Sequence, residues 1–389
     1  MRTICLLLLL MTTLTWGQDN KIRGVIKDAE THQPIPYVNI YSENELKNNN
    51  TGSISNDYGE FAVVNNHTKI IFSHINYETF TLESDGKLKE VLLKPKNYVL
   101  DEIVISNEDP RDYLKRILKL SNNKIEKNTL LKGYCREIVK VNNEYTKFSD
   151  ALVDYYIKKG NGKSNLILGQ HRALKSKKID NEDDKKIDNI NTAFNVKDYV
   201  KAAYKFEAVE KLLKSDNYEF ERKIKKEANG AEYEYVEIIP KMDSDEMLNK
   251  GYIIIDPTSK SILEFKIYSA ETHLKNAKMI NFWIAKGKLN KGLVWSKFKL
   301  INNQYILTYN KRQADVYIKM GSKIDHNFDF SSDIFVYEFK NNVEIPENGY
   351  KKKTLFEAGT NYTDQFWTKY NVFPLSEAEE RFINSVQEK

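Results

Sequence analysis

Polar and apolar residues begin to alternate at residue 22, where Ile22, Gly24 and Ile26 interleave with Arg23, Val25 and Lys27. That period of two predicts a strand. Asp28 to Gln33 is polar enough for a turn, and Pro34 and Pro36 exclude helix before the apolar positions resume at Val38 and Ile40. Asn56-Asp57-Tyr58-Gly59 predicts a tight turn into Phe61 and Val63, with Gly59 able to take a positive φ. "KIIFSHINYETFTL" and "LKEVLLKPK" complete a set of short strands at the spacing of a β-sandwich.

The pattern changes after residue 106. Asp109 is a candidate N-cap and Pro110 a first helical residue, and Tyr113, Leu114, Ile117 and Leu118 form one apolar stripe. Longer strands follow, with turns at Asn142-Asn143, Gly160-Asn161-Gly162, Asn229-Gly230 and Asp256-Pro257. In "AEYEYVEII", Tyr233, Tyr235 and Glu237 share the face opposite Val236 and Ile238. "VKDYVKAAYKFEAVEKLLK" reads as one helix, and Ser376 with Glu379 makes a capping box for a closing helix. The predicted fold is mainly β with some α: an N-terminal sandwich plus a larger curved antiparallel sheet framed by helices, its hairpins following one another as a single meander.

The first 18 residues stand apart from this pattern. "MRTICLLLLLMTTLTWGQ" has a basic start at Arg2, an apolar core from Ile4 to Met11 and small or polar residues near Gly17, the layout of a cleavable secretion signal. The apolar run is short for a membrane span, and Cys5 lies inside it, away from the place of a lipidated cysteine. The domains expected are therefore the signal at 1–18, the sandwich at 19–106 and a β-rich α+β domain at 107–389. The sandwich is expected to fold alone. Location in the periplasm or at the outer-membrane periphery follows from the signal, with no transmembrane span in the mature chain.

Composition narrows the classes further. In 389 residues, 41% are hydrophobic, with 24 Tyr and 18 Phe, enough to bury ordered β-structure. The formal net charge of +5 falls by one with Arg2, too small an excess to point to nucleic acid. The Lys-rich stretches Lys175 to Asp188 and Lys351 to Lys353 read as solvated loops. Only Cys135 remains after signal cleavage, so the exported chain depends on its cores rather than on a disulfide.

Gly24, Asp28, Pro34, Val38, Gly52, Asp57, Gly59, Phe61 and the segment "IIFSHINY" (Ile70 to Tyr77) resemble the carboxypeptidase-regulatory-like domain, a transthyretin-like sandwich common in exported proteins of the Bacteroidetes. Two positions depart from the family: His32 stands at a usual turn glycine, and Asn76 where Gly often precedes the tyrosine. The resemblance implies an accessory module without a peptidase site. "LDEIVIS" (Leu100 to Ser106) is similar to the segment that follows this sandwich in TonB-dependent receptors, but no plug signature follows and the rest of the chain is too short for a receptor barrel. Leu100, Asp101, Glu102, Ile103, Val104 and Ile105 are thus candidates for adding as a strand to a partner, with a tether between domains as the other reading. The second region resembles the C-terminal part of uncharacterised exported proteins that begin with the same sandwich and, by architecture alone, the half-open barrels of periplasmic lipoprotein carriers.

His32, His67, His74, His171, His273 and His326 are scattered, and none begins an H-E-x-x-H pair. His326-Asn327-Phe328-Asp329 reads as a loop. "GNGKS" (Gly160 to Ser164) ends like a phosphate loop but has Ile157 at the first required glycine and strands on both sides. No G-x-S-x-G elbow occurs. Cys135 reads as core, Asp183-Asp184 as charged loop, and Trp283, Trp295 and Trp367 as core aromatics that could alternatively stack on sugars.

The function expected is that of a non-enzymatic cell-envelope binding or adaptor protein, accessory to outer-membrane uptake or envelope assembly, with an envelope protein or glycan as partner. A periplasmic lipid or lipoprotein carrier and a glycan- or peptide-acting hydrolase with a dispersed site are the alternatives. No catalytic residue, cofactor or metal ligand is assigned. The purified protein should accordingly contain no stoichiometric zinc; metal analysis finding one zinc per chain, lost on changing two of the six histidines, would overturn this reading.

Overall fold

A computed structural model describes residues 21–42, 52–64, 69–83, 90–96, 98–103, 108–158, 160, 162–176, 194–227, 232–282, 285–302, 304–321, 324–362 and 373–387. Residues 1–18, expected as a secretion signal, Asp183-Asp184, and Asn229-Gly230, expected as a turn, lie outside these residues. The alternating N-terminal segment forms β1 (Lys21–Asp28), which pairs antiparallel with β4 (Glu60–Val64) and parallel with β7 (Glu90–Leu93). A second sheet holds β3 (Ser53–Ile54), β2 (Asn39–Tyr41), β5 (Lys69–His74) and β6 (Tyr77–Glu83) in that order. Ile22, Ile26, Val38, Ile40, Phe61 and Phe72 close the sandwich core.

The predicted turns have visible causes. Asp28 accepts hydrogen bonds from the backbone N–H of Glu30 (2.8 Å) and Thr31 (2.9 Å), and His32 takes φ 57° in the same turn. At the second turn Gly59 has φ 73°, and a Cβ there would lie 2.5 Å from the Ile26 carbonyl oxygen, so only glycine fits.

Among the described residues, the rest of the chain contributes to one twelve-stranded sheet. Its first meander is β9 (Thr129–Val141), β10 (Glu144–Ile157) and β11 (Ser164–Lys175). The second runs through β12 (Tyr218–Glu227), β13 (Glu232–Pro240), β14 (Asn249–Asp256), β15 (Ser261–Ser269), β17 (Ala285–Ile301), β18 (Gln304–Met320) and β19 (Ile324–Lys340), with β16 (Ile280–Phe282) folded onto β17. A single meander is therefore not what forms: β19 returns to pair with β9 over Phe328 to Lys340, since each meander alone would leave a long open edge. The same strand absorbs His326 to Asp329, expected as a loop, because Phe328 and Phe330 alternate into a buried cluster with Val139 and Val141.

The helices that precede β12 cover one face of the sheet. α1 (Pro110–Asn122) starts as expected, the Asp109 carboxylate accepting from Arg111 N–H at 2.8 Å, and buries Tyr113, Leu114, Ile117 and Leu118. The predicted helix over 196–214 instead breaks into α2 (Tyr199–Tyr204) and α3 (Glu207–Leu213), with Phe206 between them in left-handed backbone at φ 51°. The break lets Phe206 pack on Phe265 and Phe298, with ring centroids 6.1 and 5.6 Å away, while both helices keep an apolar side on the sheet. α4 (Glu377–Gln387) carries the predicted box: Ser376 N–H donates to Glu379 at 2.8 Å and Glu379 N–H to Ser376 Oγ at 3.3 Å.

Cys135 is fully buried on the helix face. Two residues on, Glu137 accepts from Leu355 N–H (2.7 Å) and from the Tyr199 hydroxyl (2.9 Å). Burial outweighs these bonds and pushes its pKa from 4.5 up to about 7. The folded state thus favours neutral Glu137, so its contribution to stability is complete below pH 4.5 and is lost as pH rises to 7. The loss amounts to about 3 kcal/mol. Urea denaturation of Glu137→Gln should show less decline between these pH values, since an amide can accept from Leu355 and donate to Tyr199.

Candidate functional site

On the face opposite α1, α2 and α3, which α4 shares through Ile383 against Ile138 and Phe148, strand register places side chains in a transverse row. Arg172 faces Asp150, which faces Arg136, then Asp333 and Lys311. The row continues through Trp295, Lys266, Tyr252 and Glu237. Opposite charges on neighbouring strands stabilise such pairs, and several of these groups are removed from water. Arg172 makes a two-pronged contact with Asp150, 2.8 Å at each prong, and the Tyr134 hydroxyl donates to the same carboxylate at 2.8 Å. Burial still raises the Asp150 pKa.

The sandwich sits on the middle of this row. Tyr37, with φ 60°, reaches down between Trp295 and Tyr309, with centroids at 4.5 and 5.0 Å, and Phe373 stacks beyond at 6.4 Å. Lys297, itself buried, donates to the Tyr37 carbonyl at 2.8 Å. From the predicted turn, Asp57 accepts from Lys311 Nζ through both oxygens, at 2.9 and 2.8 Å, and from the Tyr37 hydroxyl. Burial opposes the charged form of Asp57, but Lys311 and these hydrogen bonds outweigh it and hold its pKa below the usual range. Asp333 receives the Tyr309 hydroxyl, and burial keeps its pKa raised although Lys311 and Arg136 pull it down.

Beside this joint the sheet face carries two cavities of about 380 and 300 Å³ that share Gln313 and Asp329. The first is lined also by Tyr268, Glu271, Lys291 and Asp315, and the second by Tyr58, Arg136, Lys140, Tyr145 and Ser331. Asp315 and Asp329 stand opposite each other on β18 and β19. Burial raises the Asp329 pKa, and the Asp315 charge adds to that rise against the Gln313 hydrogen bond. Arg136 spans the joint and the groove: it bonds Glu379 at 3.0 Å and lies 4.3 Å over Phe373, but its buried Nε has no partner among the described residues.

The residues singled out in the sequence fall elsewhere. Leu100 to Ile103 belong to β8 (Tyr98–Ile103), whose backbone pairs antiparallel with β12 and forms the end strand of the large sheet; Val104 and Ile105 lie outside the described residues. The "GNGKS" glycines connect β10 to β11. Trp295 is buried at the joint, and Trp283 and Trp367 lie outside the described residues. Sequence reading passed over Arg136, Lys311, Gln313, Asp329 and Asp333. Their signal was a charged or amide group alternating with apolar residues, as Asp329 and Asp333 do among Phe328, Phe330 and Ile334, but the stretch through Asp329 was expected as a loop.

Comparison with known proteins matches residues 22–105 to the CarboxypepD_reg-like domain. Among curated proteins nothing matches. A DUF1329 family protein from Desulfovibrio piger is 9% identical at a TM-score of 0.26, over 62% of this chain and 96% of that one. A LolA superfamily protein from Nitrosomonas europaea is 10% identical at 0.24, over 60% and 94%. MucB, crystallised with MucA, is 6% identical at 0.18, over 61% and 100%. Scores this low carry no argument.

The joint makes a quantitative expectation. Lys311→Met takes from Asp333 one of the two buried cations beside it, the other being Arg136, and should cost about 3 kcal/mol. Asp57→Asn removes a carboxylate whose side chain is 50% exposed and should cost only about 1 kcal/mol. Equilibrium denaturation of the two variants checks the order, and equal losses would show that Asp57, not burial of Lys311, dominates.

Proposed function

We propose that this is a non-enzymatic binding protein of the cell envelope that holds a glycan chain in the groove beside the joint. The groove itself is the observation that supports this reading: two adjoining cavities across the sheet, lined by carboxylates, an amide, cations and tyrosines. Sugar hydroxyls both donate and accept, so they suit a surface where Asp315, Asp329, Gln313 and Arg136 offer both kinds of group. Tyr58, 55% exposed at the rim, offers a ring face for a sugar. Export rests on the N-terminal segment and on the character of the sandwich module, and among the described residues no helix is long and apolar enough to cross a membrane. The sandwich acts as a fixed wall of the groove.

The lipid-carrier reading retains one observation of its own. A cavity of about 470 Å³ between α1 and the α2–α3 pair is lined by Leu118, Phe206 and Leu213 with Lys115, Lys119, Lys205 and Lys214 around them, a setting for an acyl chain with an acidic head.

Calorimetric titration with cell-wall and capsular oligosaccharides tests the main reading. Gln313→Ala and Asp329→Asn should each weaken binding about tenfold, as loss of a buried hydrogen bond to a ligand does. Displacement of a fluorescent fatty acid from the wild-type chain, with no oligosaccharide bound, would favour the carrier. Oligosaccharide cleavage that disappears in Asp315→Asn and Asp329→Asn would make the groove an active site and overturn the non-enzymatic reading.

A further inference from the structure

The far ends of β16, β17 and β18 are two-faced. Strand alternation sets Lys286 and Lys288 opposite Lys319 and Tyr317 on one face. On the other face Ile280 pairs with Gly287 and Gly287 with Ile318, while Leu289 pairs with Val316. Val316, Ile318 and Met320 are only partly buried against the Phe328 cluster. Ile280 and Leu289 are 57% and 42% exposed, and Met279 beside them 43%. Single exposed apolar side chains need no explanation, but a contiguous set at the tip of a hairpin marks a contact surface.

The cations decide what that surface meets. Lys319 is paired with Asp325, and Lys278, next to Met279, with Asp245. Lys286 and Lys288 have no acidic partner among the described residues. Protein interfaces are depleted in lysine, whereas apolar side chains flanked by long lysine stems are what a lipid surface accepts: the apolar groups enter the boundary and the ammonium groups rise to the headgroups. We propose that this amphipathic end of the sheet docks the protein reversibly on an anionic lipid surface. The contact is peripheral, involves no spanning element and leaves the glycan groove open, since none of Ile280, Leu289, Lys286 and Lys288 lines it.

Flotation of the full chain with vesicles tests this. The protein should rise with vesicles of equal parts phosphatidylglycerol and phosphatidylcholine, stay behind with phosphatidylcholine alone and be released by high salt. Ile280→Asp with Leu289→Asp should abolish flotation, and each of Lys286→Glu and Lys288→Glu should weaken it roughly fivefold or more, with unchanged thermal transitions and unchanged glycan binding. Absence of flotation with the anionic vesicles, or variants that float like the wild type, would overturn the proposal. So would a wild-type chain that self-associates or captures a protein through Ile280 and Leu289 without binding vesicles, which would make the tip a protein interface.

Discussion

An ammonium group on the inner part of a sheet face must find anions within a few ångströms or give up its proton. Lys311 finds Asp57 from the sandwich and Asp333 from the neighbouring strand, and burial, which alone would lower its pKa, is outweighed by these carboxylates so that the pKa is raised. The sandwich and the large sheet are therefore joined by charge compensation as well as by the packing of Tyr37 among Trp295, Tyr309 and Phe373. Removing the sandwich would leave the cation, and the aromatic box around it, facing water.

The same compensation enforces strand register. A slip of one residue between β18 and β19 would turn Lys311 away from Asp333 and reverse every side chain on the strand. Because Arg136 and Asp150 continue the row, an error at one strand pair would propagate as unpaired buried charge along the others. The groove inherits its order from this arrangement: Gln313, Asp315, Asp329 and Ser331 lie on the strands that the charge row holds in place.

Local signals in the chain were sufficient for much of this architecture. The Asp28 and Gly59 turns, the Asp109 cap, the box of Ser376 and Glu379 and the two faces around Val236 depend on neighbours within a few residues, and each could be read directly. The pairing of β19 with β9 joins residues nearly two hundred positions apart, and nothing local in either strand names the other. The break at Phe206 was hidden for a related reason: its neighbours favour helix, while the pull comes from Phe265 and Phe298 in remote strands. The groove was illegible because its parts are ordinary Arg, Lys, Gln and Asp residues scattered over four strands, with no fixed spacing to betray them.

β8 connects the sandwich to α1 and also completes the large sheet at the β12 edge. The connector is thus a structural member of the domain it leads into, although the CarboxypepD_reg-like match runs through it to residue 105. A recombination event that exchanged the module at that family boundary would carry off the sheet's outermost strand and bare the backbone of β12, an edge open to pairing with other chains. An exchange a few residues earlier, before Tyr98, would spare it. Evolutionary shuffling of this sandwich should accordingly leave its scars inside the family boundary, ahead of β8.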